Sequence, residues 1–144
     1  MSFNVKDVQY TQYHGGGNID VWIAEACRAA RLPHNDHWVR GYKTLCERES
    51  SFNPNAINTA DSNSFGERVG DGHPLNCSRG LAQCMPATFA AHHADGTSEC
   101  IYDPVANIAA SMQYVRQRYK VSVDGSNLAR RVQQADQNRP RKSY

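Results

Sequence analysis

Apolar positions recurring at helical spacing divide the chain into segments. Ile19, Ile23, Cys27 and Ala30 follow Asn18 at steps of three to four residues, the period of one buried helix face, and asparagine is a favoured N-cap. Leu32-Pro33-His34-Asn35 interrupts this run, and Asp36 can cap a second helix over 36–50. In that helix Trp38, Tyr42, Leu45 and Glu49 fall at i, i+4, i+7 and i+11, a single stripe of a 3.6-residue period. Glu47 and Arg48 project elsewhere. Pro54 pushes Asn53 toward extended geometry and ends the helix before it. Glu49 is therefore expected in the last turn, on the face that carries the aromatics.

Residues 51–80 are rich in Asn, Asp, Ser and Gly, with Gly66, Gly70 and Gly72 among them. They read as a long polar loop or a small hairpin. Pro86 suits the first turn of a short helix to about His93. Asp103-Pro104 opens a long helix to about Tyr119, with Asp103 as N-cap and Val105, Ile108, Met112, Val115 and Tyr119 as its buried stripe. Asp124-Gly125-Ser126 makes a turn before a last helix around 127–135. The expected fold is mostly α, one helical domain over 18–136 with at most a small sheet. Gly15-Gly16-Gly17 sets off 1–17 as a flexible leader, and 137–144, with Arg139, Arg141 and Lys142, reads as a solvated basic tail.

Composition narrows the function classes. The 144 residues suit one core, and no apolar run approaches the ~20 residues of a membrane span. Met1–Tyr13 is polar and lacks the apolar stretch of a Sec signal peptide. Sixteen Lys+Arg against 14 Asp+Glu give a net charge of +2, too balanced for a nucleic-acid binder. Five cysteines, Cys27, Cys46, Cys77, Cys84 and Cys100, suggest one or two disulfides and an oxidising destination; buried free thiols are the other reading. Cys77, Cys84, His92, His93 and Cys100 do not have zinc-ligand spacing, so no metal is expected, and nothing in the chain calls for an organic cofactor.

The chemistry centres on Glu49. Desolvation against Trp38, Tyr42 and Leu45 raises a carboxyl pKa, and the negative end of the helix dipole pushes the same way. Both favour the protonated form that a general acid for a glycosidic oxygen needs. Periodicity alone is explained better by an ion pair with a nearby arginine, or by a glutamate facing solvent.

A resemblance reverses that weighing. Glu49-Ser50-Ser51-Phe52-Asn53-Pro54 resembles the Glu-Ser-x-aromatic-Asn-Pro signature of soluble lytic transglycosylase domains. Ser78-Arg79-Gly80-Leu81-Ala82-Gln83-Cys84-Met85-Pro86 is similar to their Gly-Leu-Met-Gln-x-x-Pro segment, with Ala82 at the methionine. Ile101-Tyr102-Asp103-Pro104 and Asn107-Ile108 with Tyr114 are similar to two further blocks. The four stand in family order across roughly residues 36–120. Ala56-Ile57-Asn58, Asp61-Ser62-Asn63 and Val132-Gln133-Gln134-Ala135-Asp136 look like versions in phages of actinobacteria, within tail tape-measure proteins and lysins. An Ala-Tyr-Asn-x-Gly block with a late tyrosine is missing, and Tyr119 is the nearest candidate for it.

The resemblance implies a goose-lysozyme-like α+β fold and cleavage of the β-1,4 bond between N-acetylmuramic acid and N-acetylglucosamine, leaving a 1,6-anhydro product. It implies Glu49 as catalytic acid and base, with Ser50, Gln83 and Tyr114 as polar groups near the sugars. Taken alone, Ser50 reads as a helix-end backbone partner, Gln83 as a loop amide and Tyr114 as a core tyrosine. Gly80 is expected to permit a close backbone path. Asp61 is the candidate second carboxylate of a hydrolysing muramidase, an Asx-turn being its other reading; an inactive wall-binding module of a phage tail is a third reading of the chain. The partner implied is the peptidoglycan glycan strand, met by a monomer or by a domain of a larger protein. Action is expected at the bacterial cell wall, reached by a virion, by lysis or by a route other than Sec.

Overall fold

The structure, a computed structural model, describes residues 2–60 and 64–144. Among the described residues there are five α-helices beside a small β region: α1 Ile19–Ala29, α2 Asp36–Ser50, α3 Pro86–Ala91, α4 Pro104–Tyr119 and α5 Leu128–Arg131. Asn18 caps α1 by accepting from Val21 N–H, and Asp103 caps α4 by accepting from Ala106 N–H, as their sequence positions predict. On α2 the cap moves by one residue: Asn35 accepts from Trp38 N–H, and Asp36 is the first helical residue. The asparagine wins because its amide also donates to Asp124 O, 2.9 Å away, tying the helix start to the turn before α5. The final helix is shorter than the expected 127–135. It stops at Arg131, and a 3-10 turn follows over Gln133–Ala135.

Helix α4 is the centre of the molecule. Ala106, Asn107, Ile108, Ala109, Ala110, Ser111, Met112 and Val115 are all buried; of the predicted stripe, Ile108, Met112 and Val115 are among them, whereas Val105 and Tyr119 are only partly buried against the core. Small side chains on its other faces let α1 and α3 pack closely against it. Trp38, Tyr42 and Leu45 of α2 have no solvent exposure, and burying each stabilises the fold by about 1.5–3 kcal/mol. The Trp38 indole N–H donates to Val123 O at 2.9 Å. Gly125, at φ +72°, passes so close to that indole that a Cβ there would lie 2.8 Å from Nε1.

The polar stretch after α2 holds four short strands in two antiparallel pairs. Strand β1 (Ile57–Asn58) pairs with β4 (Ser78–Arg79), in register Ile57 with Arg79 and Asn58 with Ser78. Between them β2 (Phe65–Arg68) and β3 (Pro74–Asn76) form a hairpin. These strands are too short to stand alone, and a buried charge pins them. The Arg79 guanidinium, with no exposed side-chain surface, pairs with Asp71 at 2.7 Å. It also donates to the carbonyls of Pro74, Leu75 and Cys77, and the Tyr10 ring covers its face at 4.8 Å. Tyr102 OH donates to the same carboxylate at 2.6 Å.

Three sequence expectations change. All five cysteines are free thiols, four of them buried, so no disulfide pins Cys77; the Arg79–Asp71 pair holds that segment. Cys27, Cys46 and Cys84 serve as small apolar fillers of the core, and burial pushes the Cys84 thiol up to about 12. The segment read as a flexible leader is seated on the domain. Val8 is buried, Gln9 exchanges backbone hydrogen bonds with Glu99 and Ile101, and Tyr13 and Asn55 bind each other twice. The basic tail likewise folds back onto the end of α2, where Arg48 and Arg141 bond to the backbone across the contact. Among the described residues no helix is long and apolar enough to cross a membrane.

Candidate active site

Glu49 lies in the last turn of α2, immediately before the chain leaves the helix. Ser51 and Phe52 both take left-handed backbone angles, φ 52° and 63°, turning the chain sharply away. Such a conformation costs about 1–2 kcal/mol for each residue with a Cβ. Phe52 offsets part of this by packing its ring on the core. Glu49 lines a cleft of about 290 Å³ with Asn58, Gln83, Met85, Tyr114 and Tyr144, and Ser64, Asn76, Ser78 and Thr88 stand along its walls. Among the described residues lining it, Glu49 is the one carboxylate.

The Glu49 carboxyl is largely shielded from solvent. Burial pushes its pKa above the usual carboxylate range, while a hydrogen bond from Gln134 and the nearby Arg141 guanidinium pull it part of the way back. The Gln134 amide donates to Oε2 at 2.8 Å. Among the described residues Glu49 forms no ion pair, so its close partner is a neutral amide and not the arginine that periodicity alone suggested.

The opposite wall is built by a loop that α4 holds from below. Asn107, fully buried, accepts from Ala82 N–H at 2.8 Å and donates to Arg79 O and Ile101 O at 3.0 and 2.8 Å. One side chain thus fixes the backbone on both sides of Gly80. That residue has φ +85°, and a Cβ there would sit 2.3 Å from the Asn107 amide nitrogen. Because the amide is bonded on three sides it has no room to yield. Gly80→Ala is therefore expected to destabilise the fold by about 2–4 kcal/mol, read as a lowered urea midpoint at unchanged m-value.

The sequence-derived site residues fare differently. Gln83, also at positive φ (56°), lines the cleft with its amide donating to Gly80 O and Ala56 O. Tyr114 lines the cleft as well, its ring edge-on to Tyr144 and His92. Ser50 is buried behind the site, and its hydroxyl is directed at Cys46 O and Leu81 O, 2.9 and 2.8 Å away. It joins the helix end to the Gln83 loop and does not line the cleft, which matches its plain reading as a backbone partner. Asp61 lies outside the described residues.

Two residues at the site escaped the sequence reading, Gln134 and Tyr144. Tyr144 OH donates to Ala82 O at 2.6 Å and so accepts from Ser111 Oγ at 2.7 Å; Ser111 in turn accepts from Tyr42 OH at 2.9 Å. A chain of hydroxyls thus runs from the core of α2 through α4 to the cleft. Tyr119, the nearest match to the absent late tyrosine, does not line the cleft, whereas Tyr144 does. The tail is anchored by two arginines: Arg48 donates to Gln133 O and Arg139 O, and Arg141 donates to Arg48 O. The available signal was an aromatic residue after a basic run and a glutamine between Gln133 and Ala135, too weak to read without the fold.

The family described as Transglycosylase SLT domain matches residues 27–135. The chain is also similar to the uncharacterized protein YqbO of Bacillus subtilis (strain 168), 39% identical over 103 residues, which are 72% of this chain and 6% of that protein. The chain therefore spans a small part of that relative's length. No solved structure matches it. A mostly helical chain with two small antiparallel sheets is consistent with a lysozyme-like domain, and the family match supports peptidoglycan cleavage of the lytic-transglycosylase type in general. By that match over most of its length, this chain belongs to the Transglycosylase SLT domain family.

Proposed function

We propose that the chain cleaves the β-1,4 bond between N-acetylmuramic acid and N-acetylglucosamine by lytic transglycosylation, with Glu49 acting first as acid and then as base. The observation that carries this reading is one carboxyl with a raised pKa, alone among the described cleft-lining residues, in a recess walled by amides and hydroxyls. The Glu49 proton passes to the glycosidic oxygen as the bond to the muramoyl C1 breaks. The carboxylate so formed removes the proton of the muramoyl C6 hydroxyl while O6 bonds to C1. The products are an N-acetylglucosamine end and a 1,6-anhydromuramoyl end; the carboxyl regains its proton and no water is consumed. Gln83 and Tyr114 supply polar groups along the sugars. The site of action is the bacterial cell wall, and the context of a phage tail or lysin is part of this proposal.

Mass spectrometry of fragments released from purified wall tests it. Muramoyl ends one water lighter than the hydrolysis product are expected. Reducing ends alone would transfer the reaction to a muramidase mechanism with Asp61 as the assisting carboxylate, and no soluble fragments at all would make the chain a binding module.

A further inference from the structure

The contact between α2 and the C-terminal segment goes beyond the residues that make up the proposed acid. Gln134 is buried, 6% exposed, and both ends of its amide are engaged. Its carbonyl oxygen accepts from Lys142 N–H at 2.8 Å, and its NH2 donates to Glu49 Oε2 at 2.8 Å. A backbone N–H can only donate. The Lys142 contact therefore fixes which end of the amide faces Glu49, and the end presented is a donor. A donor favours the carboxylate over the acid and holds one carboxyl oxygen in place.

We propose that Gln134 is a positioning residue for Glu49, and that the backbone at Lys142 sets its orientation, so the C-terminal segment completes the site. This rests on the reading of Glu49 as the acid. Four other groups act on that carboxyl or respond to it: Arg141 and Tyr144 from the tail, Cys84 from the loop before α3, and Cys46 one turn back on α2. Burial keeps the thiols and the phenol in their neutral forms, which leaves Arg141 as the one charge among them. Arg141 compensates Glu49 as a nearby charge, but its guanidinium donates to Arg48 O. The oriented bond to the carboxyl belongs to Gln134.

The test is a 13C NMR titration of the Glu49 carboxyl, assigned by its disappearance in Glu49→Gln, together with the pH profile of wall cleavage. Gln134→Met keeps the volume and removes the donor. Its Glu49 midpoint and the alkaline limb of kcat/KM are expected to move together to higher pH, and kcat at the optimum to fall by roughly tenfold as the carboxyl loses its fixed orientation. Lys142→Pro removes the orienting N–H and leaves the Gln134 side chain itself intact, at a position whose own side chain is exposed; a smaller shift in the same direction is expected, with an unchanged urea midpoint as the check that the tail stays docked. A Gln134→Met midpoint equal to the wild-type one would overturn the proposal. A shift in Gln134→Met with none in Lys142→Pro would overturn the role of the tail. The NMR reading needs no substrate, so a wild type that released no wall fragments would refute the proposed function and leave this contact testable.

Discussion

Glu49→Gln is expected to lower kcat on purified wall by roughly 10²- to 10⁴-fold, the usual contribution of a positioned acid–base group, with little change in the thermal midpoint. An amide of the same shape can still accept from Gln134 and fill the end of α2. It cannot hand a proton to the leaving oxygen or take one from the C6 hydroxyl. The same residue sets the sign of the pH dependence in the wild type. The free enzyme must begin with Glu49 protonated, so kcat/KM falls as pH rises through the Glu49 pKa. Burial raises that pKa, and the alkaline limb is therefore expected above the ordinary carboxylate range, absent from whatever activity Glu49→Gln retains. A limb of unchanged position in that variant would assign it to another group and remove Glu49 from the role of acid.

Asp71→Ala carries the largest expected effect on stability, a loss of about 3–5 kcal/mol, because it leaves the buried Arg79 guanidinium without its counter-charge. The carbonyls of Pro74, Leu75 and Cys77 and the Tyr10 ring stay in contact with Arg79, but they carry dipoles and a quadrupole, not a full negative charge. Urea unfolding measures the loss, and a change under about 1 kcal/mol, the level of an exposed ion pair, would show that water reaches the guanidinium. Because β4 leads directly into Gly80 and the Gln83 loop, activity is expected to fall with stability. The pH sign is opposite to that of Glu49. Burial pushes the Asp71 carboxyl up, but hydrogen bonds from Arg79, Tyr102 and His73 N–H outweigh it and hold the pKa below its ordinary value. The pair's contribution is complete above the unfolded aspartate pKa of about 3.9. It is lost as pH falls from there through the lower folded value. Asp71→Ala is thus expected to show a flatter loss of stability in acid than the wild type.

Local signals determined a good deal of this protein. The stripe Trp38, Tyr42, Leu45 and Glu49 placed a carboxyl on the buried face of a helix end, because a 3.6-residue period leaves little freedom once three large apolar side chains must be covered. Asn18, Asp103 and Pro104 marked helix starts through chemistry that acts within four residues. The resemblance of the motif blocks implied Gln83 and Tyr114 as polar groups near the sugars, and the structure has both lining the same cleft as Glu49. Tertiary structure alone decided the rest. That Arg79 is buried on Asp71, that Asn107 clamps Ala82, and that the five thiols stay unpaired depends on which distant segments meet. The tail is the clearest instance: its charge pattern reads as a solvated end, because composition reports what a segment could do in water. Whether Gln134 and Tyr144 reach the site is settled by long-range hydrogen bonds, Arg48 to Arg139 O, Gln134 to Glu49 and Tyr144 to Ala82 O, whose partners lie far apart along the chain and leave no periodic trace in it.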